Sequence, residues 1–151
     1  MIDALHGTLN LVTSTGTGHK TQTGTFGGAI FKVTQDRSGL TTLTLVENAF
    51  KGAPSYSRCK AAHGKAAAAA LSAKTLQLLK GKDNHGKFRT KGRYAAATTR
   101  GTVWTIADRC DGTVTHVTED SVLINDFVRH INLILHAGHS YLALAKPPRH
   151  K

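Results

Sequence analysis

An all-β fold, a sandwich or β-roll of about ten short antiparallel strands, is what the 151-residue sequence predicts, and three observations point to it. Apolar residues recur at a period of two, as in Thr8-Leu9-Asn10-Leu11 and Leu43-Thr44-Leu45, which places alternate side chains on one face of a strand. Thr and Gly are abundant, and turn residues return roughly every 8–12 positions. No long stretch carries a helical period. With 40% hydrophobic residues the chain suits one globular core.

Taken in order, strands are expected over 7–13, 20–26, 29–35 and 40–46, with Asp36-Arg37-Ser38-Gly39 as a hairpin turn. Residues 55–72 contain the run Ala66 to Ala70, a good helix former, but His63-Gly64 interrupts it. This stretch is read as an Ala-rich flexible loop with room for one or two helical turns. The strand pattern resumes over 75–79, and Gly81-Lys82-Asp83-Asn84-His85-Gly86 reads as a polar turn leading to 87–90, so a basic hairpin over 74–93 is expected. Further strands follow near 93–99, 101–107, 113–118, 121–126, 130–136 and 139–144, punctuated by Gly112, Asn125-Asp126 and Ala137-Gly138. Residues 1–145 then form a single β domain, and 146–151 form a basic, proline-bearing tail expected to be extended.

The net charge is +11, and it is local. Residues 58–100 hold eleven basic side chains and a single acid, Asp83, whereas 1–57 and 101–151 are nearly balanced. So one-sided a block is the footprint of a polyanion partner, such as nucleic acid, an acidic polysaccharide or an anionic surface. The alternative is a solvated basic face that keeps the chain soluble. The polyanion-binding candidates are Lys80, Lys82, Lys87, Arg89, Lys91 and Arg93, which surround Phe88 and Tyr94 in the manner of a backbone-tracking, base-stacking surface. Strand alternation, however, turns Phe88 inward and the cations outward. No apolar run approaches the roughly 18 residues of a membrane span, and the N-terminal residues lack the features of a signal peptide, so no membrane span and no export signal are expected in this chain.

Cys59 and Cys110 are too far apart for a CxxC motif. One disulfide, two unrelated buried thiols and, least supported, a reactive cysteine all remain open at this level.

The run Gly86 to Trp104, with its Arg100-Gly101-Thr102-Val103-Trp104 element, resembles the FecR-type β domain. The sequel matches in order and spacing: Asp111-Gly112-Thr113-Val114-Thr115-His116-Val117, Val122 to Asp126, Ile131 to Leu135, then Ala137-Gly138-His139. The likeness covers 75–144. It is nearest to versions in secreted or surface proteins of actinobacterial-type bacteria, which add an element like Asp108-Arg109-Cys110-Asp111-Gly112-Thr113, an upstream cysteine like Cys59, an Ala-rich insert and a first half like Phe26 to Leu45. The resemblance implies a non-enzymatic extracellular or cell-surface module. Such a module acts in binding or assembly, with other copies of itself or neighbouring surface modules as expected partners, while the basic block adds an acidic cell-wall polymer or glycan, favoured over nucleic acid. It also implies a Cys59–Cys110 disulfide, as befits a protein outside the cytosol. The membrane helix and cytoplasmic tail of FecR-type sensors are not expected here.

The matched residues have physical roles. Gly101 and Gly138 suit turns, Asp111-Gly112 suits a capped turn, and Trp104 is expected to fill the core with its indole N–H bonded to a partner. Arg100 is expected to pair with Asp108 or Asp126. Enzymatic chemistry finds little support. His130, His136 and His139 form a metal set only if they converge, and no Cys or carboxylate completes it; no metal and no cofactor are assigned. Ser121 and Ser140 lack triad partners, Asp108, Asp111, Glu119, Asp120 and Asp126 read as turn acids rather than a catalytic pair, and the Gly-rich segments lack a phosphate-loop lysine.

Overall fold

The computed structural model describes residues 1–59 and 73–146. The described residues form thirteen strands: β1 (Ile2–Asp3), β2 (Thr8–Ser14), β3 (Thr21–Gly27), β4 (Ile30–Gln35), β5 (Thr41–Leu45), β6 (Thr75–Asn84), β7 (Phe88–Lys91), β8 (Ala95–Thr99), β9 (Val103–Arg109), β10 (Gly112–Glu119), β11 (Ser121–Asp126), β12 (Ile131–His136) and β13 (Ser140–Leu144). They build two sheets, a seven-stranded one in the order β1-β4-β5-β7-β8-β11-β12 and a six-stranded one in the order β13-β10-β9-β6-β3-β2. Every pairing is antiparallel except β5 with β7. The all-β sandwich expectation holds. The expected turn over 36–39 joins β4 to β5, with the Gly39 N–H bonded to the Asp36 carbonyl.

The core lies between the sheets. Phe26, Leu79, Trp104, Ile106 and Val117 of the six-stranded sheet meet Phe31, Leu43, Phe88, Ala97, Val122 and Ile124 of the other. Phe26 stands edge-on to Phe88 and to Trp104, with ring centroids 5.3 and 6.0 Å apart, an arrangement that favours aromatic pairs beyond area burial. Trp104 is fully buried, and its Nε1–H donates to Thr90 Oγ1 across the sandwich at 2.9 Å. Phe88 points inward, as alternation requires.

Three expectations are corrected. The segment 74–93 is no hairpin: β6 runs unbroken through Asn84 and pairs with β3 and β9, while β7 lies in the opposite sheet between β5 and β8. Gly81 is therefore no turn residue. A Cβ there would lie 2.8 Å from the Trp104 ring, so glycine is what lets the indole lie flat against the strand. Asp83 is buried because both its oxygens are taken by backbone N–H groups, of Gly101 and Thr102, each at 2.8 Å. The described strands are the twelve expected spans, with shifted ends, and β1, which is too short to show a pattern. Arg100 has no acid partner among the described residues: Asp108 accepts from the Arg93 N–H and the Thr113 hydroxyl, and Asp126 accepts from the Val128 and Arg129 N–H groups and from the Tyr141 hydroxyl. Of the Ala-rich loop, only its start is described, where Tyr56–Cys59 form a short 3-10 turn. Residues 60–72 and the tail from 147 onward lie outside the described residues.

Cys59 and Cys110 are joined as a disulfide spanning 51 positions. The Cys110 N–H also donates to the Lys74 carbonyl at 3.1 Å, so the insertion leaves and rejoins the fold beside the same cysteine.

Candidate functional site: a cationic groove on the seven-stranded sheet

Because β6 and β7 belong to different sheets, the six predicted cations divide. Lys80 and Lys82 alternate with buried Leu79, Gly81 and Asp83 and face outward on the six-stranded sheet, beside a shallow depression shared with His6, Thr8 and Thr25. Arg89 and Lys91 alternate with buried Phe88 and Thr90 and face outward on the other sheet. Lys87 and Arg93 sit just beyond the two ends of β7.

Strand register assembles a groove around Arg89 and Lys91. The pairings Lys32↔Thr44, Thr44↔Lys91, Lys91↔Ala96, Ala96↔Asn125 and Asn125↔Asn132 make one continuous row across six strands. At the usual strand spacing the row is about 24 Å long. The parallel row Thr34–Thr42–Arg89–Thr98–Leu123–Ile134 flanks it. Toward β12 the groove has a volume of about 510 Å³ and is walled by Arg89, Lys91, Asn125, Asp126, Phe127, His130 and Asn132. Toward β4 a second hollow of about 430 Å³ continues past Lys91 to Lys32, Thr44, Glu47 and Arg93. Ala96, whose side chain is the smallest in the row, lets the floor dip between the cations and the amides.

The cations are held without being neutralised. Arg89 Nε donates to Thr98 Oγ1 at 3.3 Å, the Lys91 ammonium lies 5.5 Å from the Phe127 ring centre, and the Arg93 guanidinium stacks 4.7 Å above Tyr56 and 5.8 Å from Tyr94. Such cation–π contacts fix a side chain while leaving its charge free. Among the described residues the one ion pair is Arg109–Asp111, at 2.6 Å, and it lies elsewhere. Asp126 lines the hollow toward β12 with its oxygens taken by the Val128 and Arg129 N–H groups and the Tyr141 hydroxyl, and the acid of the hollow toward β4 is Glu47. Its carboxyl is pushed up to about 8, first by burial and then by hydrogen bonding and repulsion from Asp108. Asp108 Oδ2 is buried and has no hydrogen-bond partner among the described residues. Burial and the nearby Asp108 charge also raise the Tyr56 hydroxyl well above its ordinary value. Glu47 accepts from Gln77 and Asp108 from Thr113, which ties the two carboxyls to the frame beside the groove.

The other predicted residues serve the frame. Gly101 and Gly138 adopt φ of 74° and 84° in turns. Thr102 donates to the Ser121 carbonyl, Asp111 takes the Arg109 ion pair, and Gly112 packs so closely on the Ala143 carbonyl that no side chain fits. His130 lies in the β11–β12 turn, His136 ends β12 and His139 precedes β13, and no group of three His, Cys, Asp or Glu converges among the described residues. Lys32, Thr44, Asn125 and Asn132 escaped sequence reasoning. Asn125 was read as punctuation between strands, and only strand order aligns the four.

No family model, curated protein or solved structure matches this chain.

Proposed function

We propose that this chain is a non-enzymatic extracellular or cell-surface β module that binds an acidic polymer, an anionic cell-wall polymer or glycan, along the groove of its seven-stranded sheet. The carrying observation is the row Lys32–Thr44–Lys91–Ala96–Asn125–Asn132 flanked by Arg89 and Arg93. Its cations toward β4 and its hydrogen-bonding amides toward β12 span a length that suits an extended chain of acidic, hydroxyl-rich units. The Cys59–Cys110 disulfide supports an oxidising location. The FecR-type likeness belongs to this same reading and supplies its scaffold.

An acidic glycan is favoured over nucleic acid because the groove offers one partly exposed ring, Phe127, and the Lys91 ammonium already lies 5.5 Å from its centre. Phe26, Phe31, Phe88 and Trp104 are spent in the core, Tyr56 and Tyr94 are covered by Arg93, and exposed Phe50 stands outside the groove. Base stacking is worth about 1–3 kcal/mol per base, which a single-strand binder cannot forgo. The test is a titration with polygalacturonate, a poly(glycerol phosphate), uncharged dextran and single-stranded DNA at equal salt. One of the two acidic polymers is expected to bind most tightly, with affinity falling as salt rises, and dextran is expected not to bind. DNA binding as tight as that of either acidic polymer, or no polymer binding at low salt, contradicts the proposal.

A further inference from the structure

Beyond the groove, we infer a second binding site at one end of the sandwich, built for a phosphate- or sulfate-type oxyanion that carries a short apolar arm. Four turns converge there. The β2–β3 turn contributes Thr15, Thr17 and Lys20, the β4–β5 turn Ser38, the β6–β7 connection His85 and Lys87, and the β8–β9 connection Arg100. Together with Gln22 they enclose a cavity of about 450 Å³.

The cavity is cationic and its cations are unspent. Among the described residues, the side chains of Lys20, His85, Lys87 and Arg100 make no hydrogen bond and no ion pair. The nearest acids are turned away or already satisfied. Asp36 accepts from the Ser38 N–H at 2.8 Å, the Ser38 hydroxyl at 2.6 Å and the Leu40 N–H at 3.2 Å, and the buried Asp83 accepts from the Gly101 and Thr102 N–H groups. Three formal charges beside an imidazole, with no acid in the lining, concentrate positive potential in a concave space. An oxyanion answers that potential with acceptors for a guanidinium fork and two ammonium groups.

The walls are preorganised. Gln22, buried at the back, donates from Nε2 to the Gly39 carbonyl at 2.7 Å and accepts the Lys87 N–H on Oε1 at 2.8 Å, tying three of the contributing segments together. Gly16 and Gly39, at φ of 84° and 89°, let two turns lie against each other; a Cβ on Gly39 would sit 2.2 Å from the Thr15 carbonyl oxygen. Gly101 keeps Arg100 beside His85, whose Nδ1 would lie 3.1 Å from an added Cβ. The ligand therefore meets a formed cavity rather than ordering one, which lowers the entropic cost of binding.

The arm follows from the neighbouring trough. Ser38, Lys87 and Arg100 also line a hollow of about 440 Å³ that continues onto the sheet past Leu40, Val122, Leu123 and Ile134. Leu123 and Ile134 face each other in register and are 38% and 54% exposed, so the trough offers apolar area to whatever the anion carries. Charge at one end and aliphatic surface at the other fit an alkyl phosphate or sulfate monoester better than the bare ion.

The experiment titrates the protein with inorganic phosphate and with hexyl phosphate at constant ionic strength, reading amide NMR shifts and calorimetric affinity. Saturable shifts are expected at 15–20, 38–39, 85–87 and 100–101. Hexyl phosphate should bind about tenfold tighter than phosphate, from partial burial of its methylenes. Arg100→Ala and Lys87→Ala should each weaken both ligands about tenfold or more, through loss of a charged hydrogen bond. Neither side chain bonds to the fold, so their melting points should hold. Arg89→Ala and Lys91→Ala should leave this site intact, which separates it from the polymer groove. Shifts spread equally over Lys80 and Lys82, or none that saturate, would overturn the site. Equal affinity for the two ligands, with light scattering showing a dimer, would assign the trough to a second copy and overturn the apolar arm.

Discussion

Reduction of the Cys59–Cys110 disulfide should destabilise the protein by an amount that the topology sets. The bond spans 51 positions, and a closed loop of that size removes chain entropy from the unfolded state worth about 4 kcal/mol. At roughly 2–4 °C per kcal/mol for a domain of this length, the melting midpoint should fall by roughly 8–16 °C. The native consequence is local. β6 stays paired with β9, and the Lys74 carbonyl keeps its bond from the Cys110 N–H, whereas the 3-10 turn Tyr56–Cys59 loses its tether. Tyr56 underlies the Arg93 guanidinium, so one wall of the groove loosens with it. The assay is calorimetry with and without reductant, with the thiol count confirmed by alkylation and mass, and Cys59→Ala/Cys110→Ala measured alongside. An unchanged midpoint in verified reduced protein would refute the loop-closure reasoning and weaken the case for an oxidising location.

Other expectations follow from the core and the carboxyl pair. Trp104→Ala should cost about 3–5 kcal/mol. Thr90→Val, which strands the buried indole N–H, should cost about 1–3 kcal/mol with the fold retained, and a fully native midpoint for the valine variant would show that the bond contributes nothing. Glu47, whose carboxyl titrates near 8 in the fold against an ordinary 4.5, binds a proton more tightly folded than unfolded. Its contribution is complete below about pH 4.5 and is lost as pH rises through 8. Chemical denaturation between those limits should show falling stability, and Glu47→Gln should flatten the slope; an equal slope in the variant would remove Glu47 as the cause.

The strands themselves were legible because their evidence is local. Leu43-Thr44-Leu45 and Asp36 to Gly39 carry alternation and turn chemistry within a few residues, and β4, β5 and their hairpin follow. What failed was pairing across distance. Gly81-Lys82-Asp83-Asn84 has turn composition, yet its glycine is set by the Trp104 ring and its buried aspartate by the amides of Gly101 and Thr102, roughly twenty residues away. Nothing near those positions announces either contact. Arg100 shows the same limit, since the acids expected to pair with it serve backbone amides, and it faces an open cavity instead. The composition located the charge within 58–100 but not its division between two faces, because that depends on β6 and β7 entering different sheets.

Comparing two double variants on opposite faces tests the polymer groove most directly. Arg89→Ala/Lys91→Ala and Lys80→Ala/Lys82→Ala remove equal charge from the seven- and six-stranded sheets respectively, so net charge and long-range attraction are matched. With the acidic polymer that binds the wild type most tightly, the first pair should lose at least tenfold in affinity, about 1.4 kcal/mol, and show a shallower salt dependence, while the second should stay near wild type. Equal losses in the two variants would mean that net charge, and not the groove, holds the ligand.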